Sequence, residues 1–352
     1  MVSSLVNHKK ENELFRMKIK SIGFGKLDLR PGISILICIF FLITCFPSGA
    51  LAQQDVQFSQ YVFNGMALNP AYAGYKEATN FHLVYRDQWT GLTGAPKTTA
   101  FSMDGVTEDQ KIGLGGMILQ DELGAQSSLE ALGVFSYRLR VGDRSRLSFG
   151  LGAGVDQYKI DESKLVPIDK TENLGSLQAN LIQPTLNFGV FYATPQYFAA
   201  FSVNDLFSNF QGSNPAYLVI YRNRHYYLQG GALFPITQDI VIKPSILIKE
   251  DFLGPTNVDM NLFILLSERV WVGGSFRTAA KLFTKSNLQT NLNNSDAYSL
   301  MLEFFVSDRI RLGYSYDYTT SLLKDVNNGT HEFSIGYTLK KRKAPMLSPR
   351  YF

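Results

Sequence analysis

Leu147-Ser148-Phe149-Gly150-Leu151-Gly152-Ala153-Gly154-Val155-Asp156 changes character at every step: leucine, phenylalanine, alanine and valine alternate with serine, glycine and aspartate. A period of two puts the first set on one face of a β-strand and the second on the other. The pattern returns where Ile310, Leu312, Tyr314, Tyr316 and Tyr318 alternate with Arg309, Arg311, Gly313, Ser315, Asp317 and Thr319. It returns again where Phe333, Ile335, Tyr337 and Leu339 alternate with Glu332, Ser334, Gly336 and Thr338. Working outward in both directions gives about fourteen strands, at roughly 80–89, 97–106, 110–121, 127–140, 144–158, 183–193, 196–207, 224–235, 239–250, 256–267, 269–277, 297–306, 309–320 and 331–340.

The connections alternate as well. Thr107–Asp109, Val141–Asp143, Thr194-Pro195, Ile236–Gln238, Glu268 and Ser307-Asp308 are tight, whereas 159–182, 208–223, 278–296 and 321–330 are long and rich in Asn, Ser and Lys. Short turns on one rim, long loops on the other and an even strand number describe an outer-membrane barrel with both termini in the periplasm. A soluble barrel or sandwich would alternate in the same way with its polar face outward. Two features favour lipid. The polar face holds glycine and serine more than long charged side chains, and aromatics gather near strand ends at Tyr85, Trp89, Tyr158, Tyr192, Tyr197, Trp271 and Tyr337, as an interfacial girdle does. Hydrocarbon tolerates no open sheet edge, so the barrel is expected to close.

Composition agrees. The 352 residues are 45% hydrophobic and 18% charged, which excludes a disordered chain, and 26 Phe, 18 Tyr and 29 Gly suit strands better than helices. The first 52 residues read as a secretory leader. Lys9, Lys10, Arg16, Lys18, Lys20, Lys26 and Arg30 precede the apolar run Ile33–Phe46, and Ala50-Leu51-Ala52 supplies a small-x-small cleavage site before Gln53. The apolar run is shorter than the ~20 residues of a spanning helix. Cys45 offers a second reading as a lipidated cysteine, and Met17 a second translation start. Removing the leader takes seven of 34 basic and three of 30 acidic residues, leaving 27 of each. A near-neutral mature chain gives a nucleic-acid partner no support. Both cysteines, Cys38 and Cys45, also lie in the leader, so neither a disulfide framework nor a cysteine metal site is expected.

One stretch does not alternate. Phe58-Ser59-Gln60-Tyr61-Val62-Phe63-Asn64-Gly65-Met66-Ala67-Leu68-Asn69-Pro70-Ala71-Tyr72-Ala73-Gly74 has Phe58, Tyr61 and Val62 at helical spacing, but Gly65 and Asn69-Pro70 stop any helix within about two turns. It is expected to sit inside the cylinder as a short apolar plug on a bent stalk; the alternative is an ordinary N-terminal arm packed under a sheet. The organisation is then leader 1–52, plug segment 53–79, transmembrane barrel 80–340 and basic periplasmic tail 341–352, continuing Lys340 through Lys341-Arg342-Lys343. That tail is either a solvated run or a dock for an acidic partner.

Catalytic chemistry is sparse. His82, His225 and His331 lie far apart, with no spacing that aims two ligands at one metal. His331 and Ser334 invite comparison with lipid hydrolases of the outer membrane, yet their parities differ and place them on opposite faces. No enzyme, metal or cofactor is expected. Charges of lumen parity are Arg138, Arg140, Asp156, Lys243, Lys249, Glu303, Arg309, Arg311 and Asp317, a balanced set that suits pairing with one another and with the plug. Arg86 and Asp87, beside Trp89, either hold the plug by charge-assisted hydrogen bonds or are rim residues with Trp89 as interface anchor.

Asp55-Val56-Gln57-Phe58-Ser59-Gln60-Tyr61-Val62-Phe63-Asn64, Leu68-Asn69-Pro70-Ala71-Tyr72-Ala73-Gly74 and Tyr85-Arg86-Asp87-Gln88-Trp89 with Gly91, Gly94 and Pro96 resemble the PorP/SprF family of type IX secretion outer-membrane proteins. Gly113-Leu114-Gly115-Gly116, Gly313–Tyr318 and His331–Ser334 extend the resemblance across the mature chain. It implies a non-enzymatic component that helps particular large surface proteins to be exported or held at the surface of gliding Gram-negative bacteria. The implied partners are machinery proteins of the periplasm and outer membrane and a cargo's C-terminal domain. Residues 340–352 depart from the usual terminal aromatic strand, which leaves Tyr337 or Leu339, rather than Phe352, to close the barrel. Fatty-acid channels of the outer membrane share the strand number and an N-terminal hatch with Asn-Pro-Ala, here Asn69-Pro70-Ala71, but would need an apolar pocket.

Overall fold

Antiparallel strands close into one barrel in a computed structural model that describes residues 56–164, 180–207, 223–280, 282, 283, 285 and 295–339. The leader, the basic tail and the middle of three long loops lie outside these residues. The first half of the wall is β1 Thr79–Asp87, β2 Lys97–Val106, β3 Ile112–Leu123, β4 Gln126–Arg140, β5 Arg146–Ile160, β6 Asn180–Ala193 and β7 Tyr197–Asn204. The second is β8 His225–Ala232 with its continuation Phe234–Pro235, β9 Ile240–Glu250, β10 Thr256–Leu266, β11 Val270–Ala280, β12 Ser295–Phe305, β13 Ile310–Thr319 and β14 Thr330–Leu339.

The two pieces of β8 are one strand. Gly231 faces Ser245 and Pro235 faces Val241, so the register runs unbroken between them. The ladder lapses because Pro244 has no N–H to give, and Leu233 turns its own N–H to the Gln196 carbonyl at 2.8 Å. Each strand pairs with its sequence neighbours, and β1 pairs with β14 from Thr79 opposite Leu339 to Asp87 opposite His331. The count is therefore fourteen, and the ring has no edge to leave backbone groups unpaired in lipid.

Alternation sorts the side chains as the pleat requires. Leu114, Ile118, Phe135, Leu151, Leu300 and Phe333 stand outward, Leu300 with 67% of its surface exposed, while Ser102, Ser136, Asp156, Ser315 and Glu332 are buried inward. An apolar outer wall around a polar, filled interior makes sense only with hydrocarbon outside. Among the described residues no helix is long and apolar enough to cross a membrane, and the strands do the crossing.

Several expectations about facing are corrected. Trp271 and Tyr158 do not join an outer girdle but point inward and are buried, Trp271 lying under the Lys243 ammonium at 5.7 Å from its ring centre. Tyr85, Tyr192 and Tyr197 do stand outward. Arg140 and Arg309 leave the lumen at the strand ends; Arg140 donates to the Gly142 and Asp143 carbonyls of its own turn. The lumen is also not uniformly polar: Leu247, Phe263, Leu265 and Met301 are fully buried on the inner faces of β9, β10 and β12. They meet apolar residues of the N-terminal segment, with Phe63 set edge-on to Phe263 at 5.4 Å between ring centres.

Residues 58–74 form three single turns rather than a longer helix: Gln60–Phe63, Gly65–Ala67 and Pro70–Tyr72. Pro70 sits at the first position of the last turn, where no N–H is needed, and the Asn69 side chain caps it by accepting from the Ala71 N–H at 2.8 Å. The segment runs along the lumen from the long-loop rim to the short-turn rim. Val56 and Gln57 lie beside Thr319 and Thr330, at strand ends that lead into long loops, whereas Gly74 and Glu77 reach Asp104 and Arg138 near the short turns. Thr79 and Leu339 share the short-turn rim, but the even strand count does not carry over to Val56.

Candidate functional site

Arg86 organises the inside of the barrel. Its even parity in β1 turns it inward, where 3% of its surface remains exposed, and its two terminal nitrogens reach Asp317 of β13 at 2.9 Å and Glu332 of β14 at 2.8 Å. The same guanidinium donates to the Ser59 hydroxyl at 3.1 Å, and that hydroxyl donates to Asp317 at 2.6 Å. Glu332 accepts two further bonds, from the Ser59 and Gln60 backbone N–H groups at 2.9 and 2.8 Å. A buried carboxylate is tolerable when its lone pairs are filled by charged and backbone donors. The first turn of the N-terminal segment is thus clamped to three strands by one cation and two anions. Gln60 completes the clamp, accepting from Ser334 at 2.7 Å and donating to the Glu332 carbonyl at 3.0 Å.

Further anchors follow along the segment. Tyr61 accepts from Asn261 at 2.7 Å; burial above all, with the Asp259 charge adding to it, pushes its phenol well above the ordinary value. Asn64 donates to Ser102 at 2.9 Å and pairs with His82 at 3.2 Å. Asn69 donates to the Val190 and Phe201 carbonyls at 3.0 and 3.1 Å. Ser202 and Ser136 donate to the Leu68 and Ala73 carbonyls, both at 2.7 Å. Asp104 receives the Gly74 N–H at 2.9 Å. Serines and carboxylates of lumen parity thus satisfy backbone groups that the segment's short turns leave over.

The glycines of the lumen face have a related cause. A Cβ at Gly150 would collide with the Ala71 backbone, and one at Gly189 with the Asn69 side chain. The wall is hollowed where the third turn passes, which is why glycine stands there in place of a larger neutral residue.

Of the residues singled out in the sequence, Phe58, Tyr61, Asn64, Asn69, Pro70, Arg86 and Asp317 come together in or around the segment, and Arg138 meets its end through Glu77 at 3.4 Å. Arg311 pairs with Glu303 at 3.1 Å on the inner wall. Asp156 is buried inward beside Glu130 and Gln183. Asp87 does not join Arg86 against the segment: odd parity places it on the other face at the strand end, opposite Lys97. Trp89 lines an inner cavity at the long-loop rim with its backbone in the left-handed region at φ 51°.

The charge list from parity lacked Glu332, Asp259 and Arg277. Glu332 was legible, since it alternates with Phe333 and Ile335. Asp259 and Arg277, paired at 3.2 Å with Lys249 joining Asp259 at 3.0 Å, were legible by the same alternation, in phase with Asn261 and Ser275. In β10 Asn257, Asp259 and Asn261 alternate with Val258, Met260 and Leu262, and polarity stops marking the faces only beyond them, where Phe263 and Leu265 also turn inward.

Lys76 follows the last turn and donates to the Phe63 carbonyl at 2.9 Å. Enclosure of its ammonium, with the Arg311 charge acting in the same direction, pulls its pKa down to about 7. His82 bonds to Asn64, His225 to the Asn223 carbonyl and His331 to Tyr314, so the three histidines are apart in space as in sequence. His331 faces outward while Ser334 faces Gln60. Among the described residues no cluster of three metal-ligating side chains is found.

A closed wall with lipid-facing apolar side chains, one rim of short turns and every long loop on the other defines a transmembrane β-barrel of the kind found in bacterial outer membranes. Within that class the chain belongs to the PorP/SprF family of type IX secretion system membrane proteins, whose family model matches residues 50–337. No curated protein is significantly similar to it. Among solved structures, the Acinetobacter baumannii outer membrane protein Omp33 is similar at 8% identity with a TM-score of 0.43, covering 75% of this chain and 99% of that one. A TodX deltaS2S3 mutant monoaromatic hydrocarbon channel is similar at 10% identity and 0.42, covering 78% and 92%, and the KdgM porin at 8% and 0.36, covering 74% and 99%. These likenesses are too loose to bear on function.

Proposed function

We infer that this protein is a non-enzymatic outer-membrane component of type IX secretion, in which residues 58–77 act as a plug and the barrel supports export or surface attachment of particular large cargo proteins of the gliding-adhesin type. Family membership supports the secretion role. The single observation that carries the rest is the Arg86–Glu332–Asp317 clamp on Ser59 and Gln60: an ion network buried this deeply is costly unless fully paired, and here it serves to hold the chain's own segment in the lumen. A conduit for hydrophobic molecules would instead need a continuous apolar pocket, and in the cavity beside the clamp arginines, aspartates, amides and hydroxyls interrupt the apolar lining of Val56, Trp89, Leu123 and Tyr158.

In this reading the short turns face the periplasm and meet machinery proteins there and in the outer membrane, while a cargo's C-terminal domain is the partner on the export route. The test is deletion in the living cell. Cargo is expected to disappear from the surface with fatty-acid uptake unchanged. Normal cargo display in the deletion strain would overturn the reading.

A further inference from the structure

A cavity of about 270 Å³ opens between the first residues of the N-terminal segment and the long-loop ends of the strands. Its charges are already spoken for. Arg86 holds Asp317 and Glu332, Arg277 holds Asp259 and lies 3.9 Å from Asp296, and Asp121 accepts the Thr98 hydroxyl at 2.6 Å. What the walls leave open is neutral. Gln57, Gln126, Ser127 and Ser128 line the cavity, and their side chains make no hydrogen bond among the described residues. Two aromatic side chains, Trp89 and Tyr158, line it with them.

Trp89 is held there at a cost. A bulky residue at φ 51° is rare, and the loop fixes it by giving the Trp89 N–H to the Thr330 hydroxyl at 3.1 Å while Thr90 donates to the Gly329 carbonyl and accepts from the Asn328 N–H, both at 2.8 Å. This backbone places the indole in the cavity wall.

We propose that this cavity is a binding site for a neutral saccharide. Unpaired amides and hydroxyls offer both donors and acceptors, which a polyhydroxylated ring can satisfy in both directions. The C–H face of such a ring lies well against an indole or a phenol. An ionic ligand would have to break the internal pairs, and a hydrocarbon would leave the amides desolvated and unpaired. The volume lies at the small end of the ligand-site range, which begins near ~300 Å³, and suits one or two sugar rings.

The chain has two tryptophans, Trp89 in the cavity and Trp271 buried under Lys243, so ligand-induced fluorescence changes report Trp89. The purified detergent-solubilised protein is titrated with hexoses, 6-deoxyhexoses, N-acetylhexosamines and disaccharides, and with polysaccharide chains released from the outer membrane of the same bacterium. A saturable change with at least one probe is expected. Calorimetry should show affinity weakened about tenfold by Gln126→Ala or Ser128→Ala, the loss of one good hydrogen bond, and more by Trp89→Phe. Both polar positions lie at a strand end, and their variants should melt as the wild type does. Tighter binding of the released chains than of free sugars assigns a surface glycan; equal binding assigns a free saccharide. No saturable response from any probe overturns the proposal, as does binding that survives all three substitutions. So does a peptide or hydrocarbon that binds in the sugars' place with the same sensitivity to substitution.

Discussion

Arg86→Ala removes the one cation that joins Asp317 and Glu332 to the N-terminal segment. Deleting one partner of a buried ion pair costs about 3–5 kcal/mol, because the other charge stays buried without compensation. Here two carboxylates are left, 2.9 and 2.8 Å from the vanished nitrogens, and Ser59 loses a donor at 3.1 Å. The cheapest relief is for the segment to move and admit water. A cost of that size shifts the ratio of held to released segment by a factor between about 1.6 × 10² and 5 × 10³. Planar-bilayer recordings should show longer and more frequent open intervals, and limited proteolysis should reach Tyr61 and Phe63. Arg86→Lys should recover only part of the wild-type behaviour, since a single ammonium cannot bridge both carboxylates. Replacing all three charges, Arg86→Met with Asp317→Asn and Glu332→Gln, should recover more than Arg86→Ala does, because no buried charge remains. If Arg86→Ala conducts and resists protease as the wild type does, the clamp does not hold the segment and the reasoning fails.

Gly150→Val puts a side chain where the Ala71 backbone passes and should dislodge the third turn at about 1–3 kcal/mol with the barrel still folded, read as new cleavage sites in residues 58–77 under limited proteolysis. Asn69→Ala loses the cap on Ala71 and two bonds to strand carbonyls; a cost of roughly 2 kcal/mol should appear as a lower denaturant midpoint with an unchanged slope. Lys76, with a pKa drawn down to about 7, binds its proton less readily in the folded state than in the unfolded chain. Stability should therefore rise with pH from about 7 toward the ordinary lysine value of ~10.4 and level off below 7, and Lys76→Met should flatten that slope in heat-modifiability assays. A slope unchanged in Lys76→Met would assign the pH dependence to other groups.

Period-two alternation by itself determined the barrel. A strand with one greasy and one small or polar face has few places to go, and fourteen of them with alternating short and long connections leave a closed membrane wall, found within a few residues of the expected boundaries. Chemistry at Ser59 and Asn69 was also legible in part, because polar residues in a stretch that cannot form a long helix must find partners elsewhere, and Arg86 because a cation on the first strand beside that stretch is placed to hold it. Tertiary structure alone decided which partners. Glu332 and Ser59 are 273 residues apart in sequence, and only closure of β14 onto β1 brings them to 2.9 Å. Parity by itself puts Tyr158 with Asp156, Trp271 with Ser275 and Arg277, and Asp259 with Asn261 on the inner face; the pairing of Asp259 with Arg277 needed the register of β10 on β11. Parity tells inside from outside only where the two sides differ in polarity, and where apolar Phe63 of the segment meets apolar Phe263 of the wall they do not.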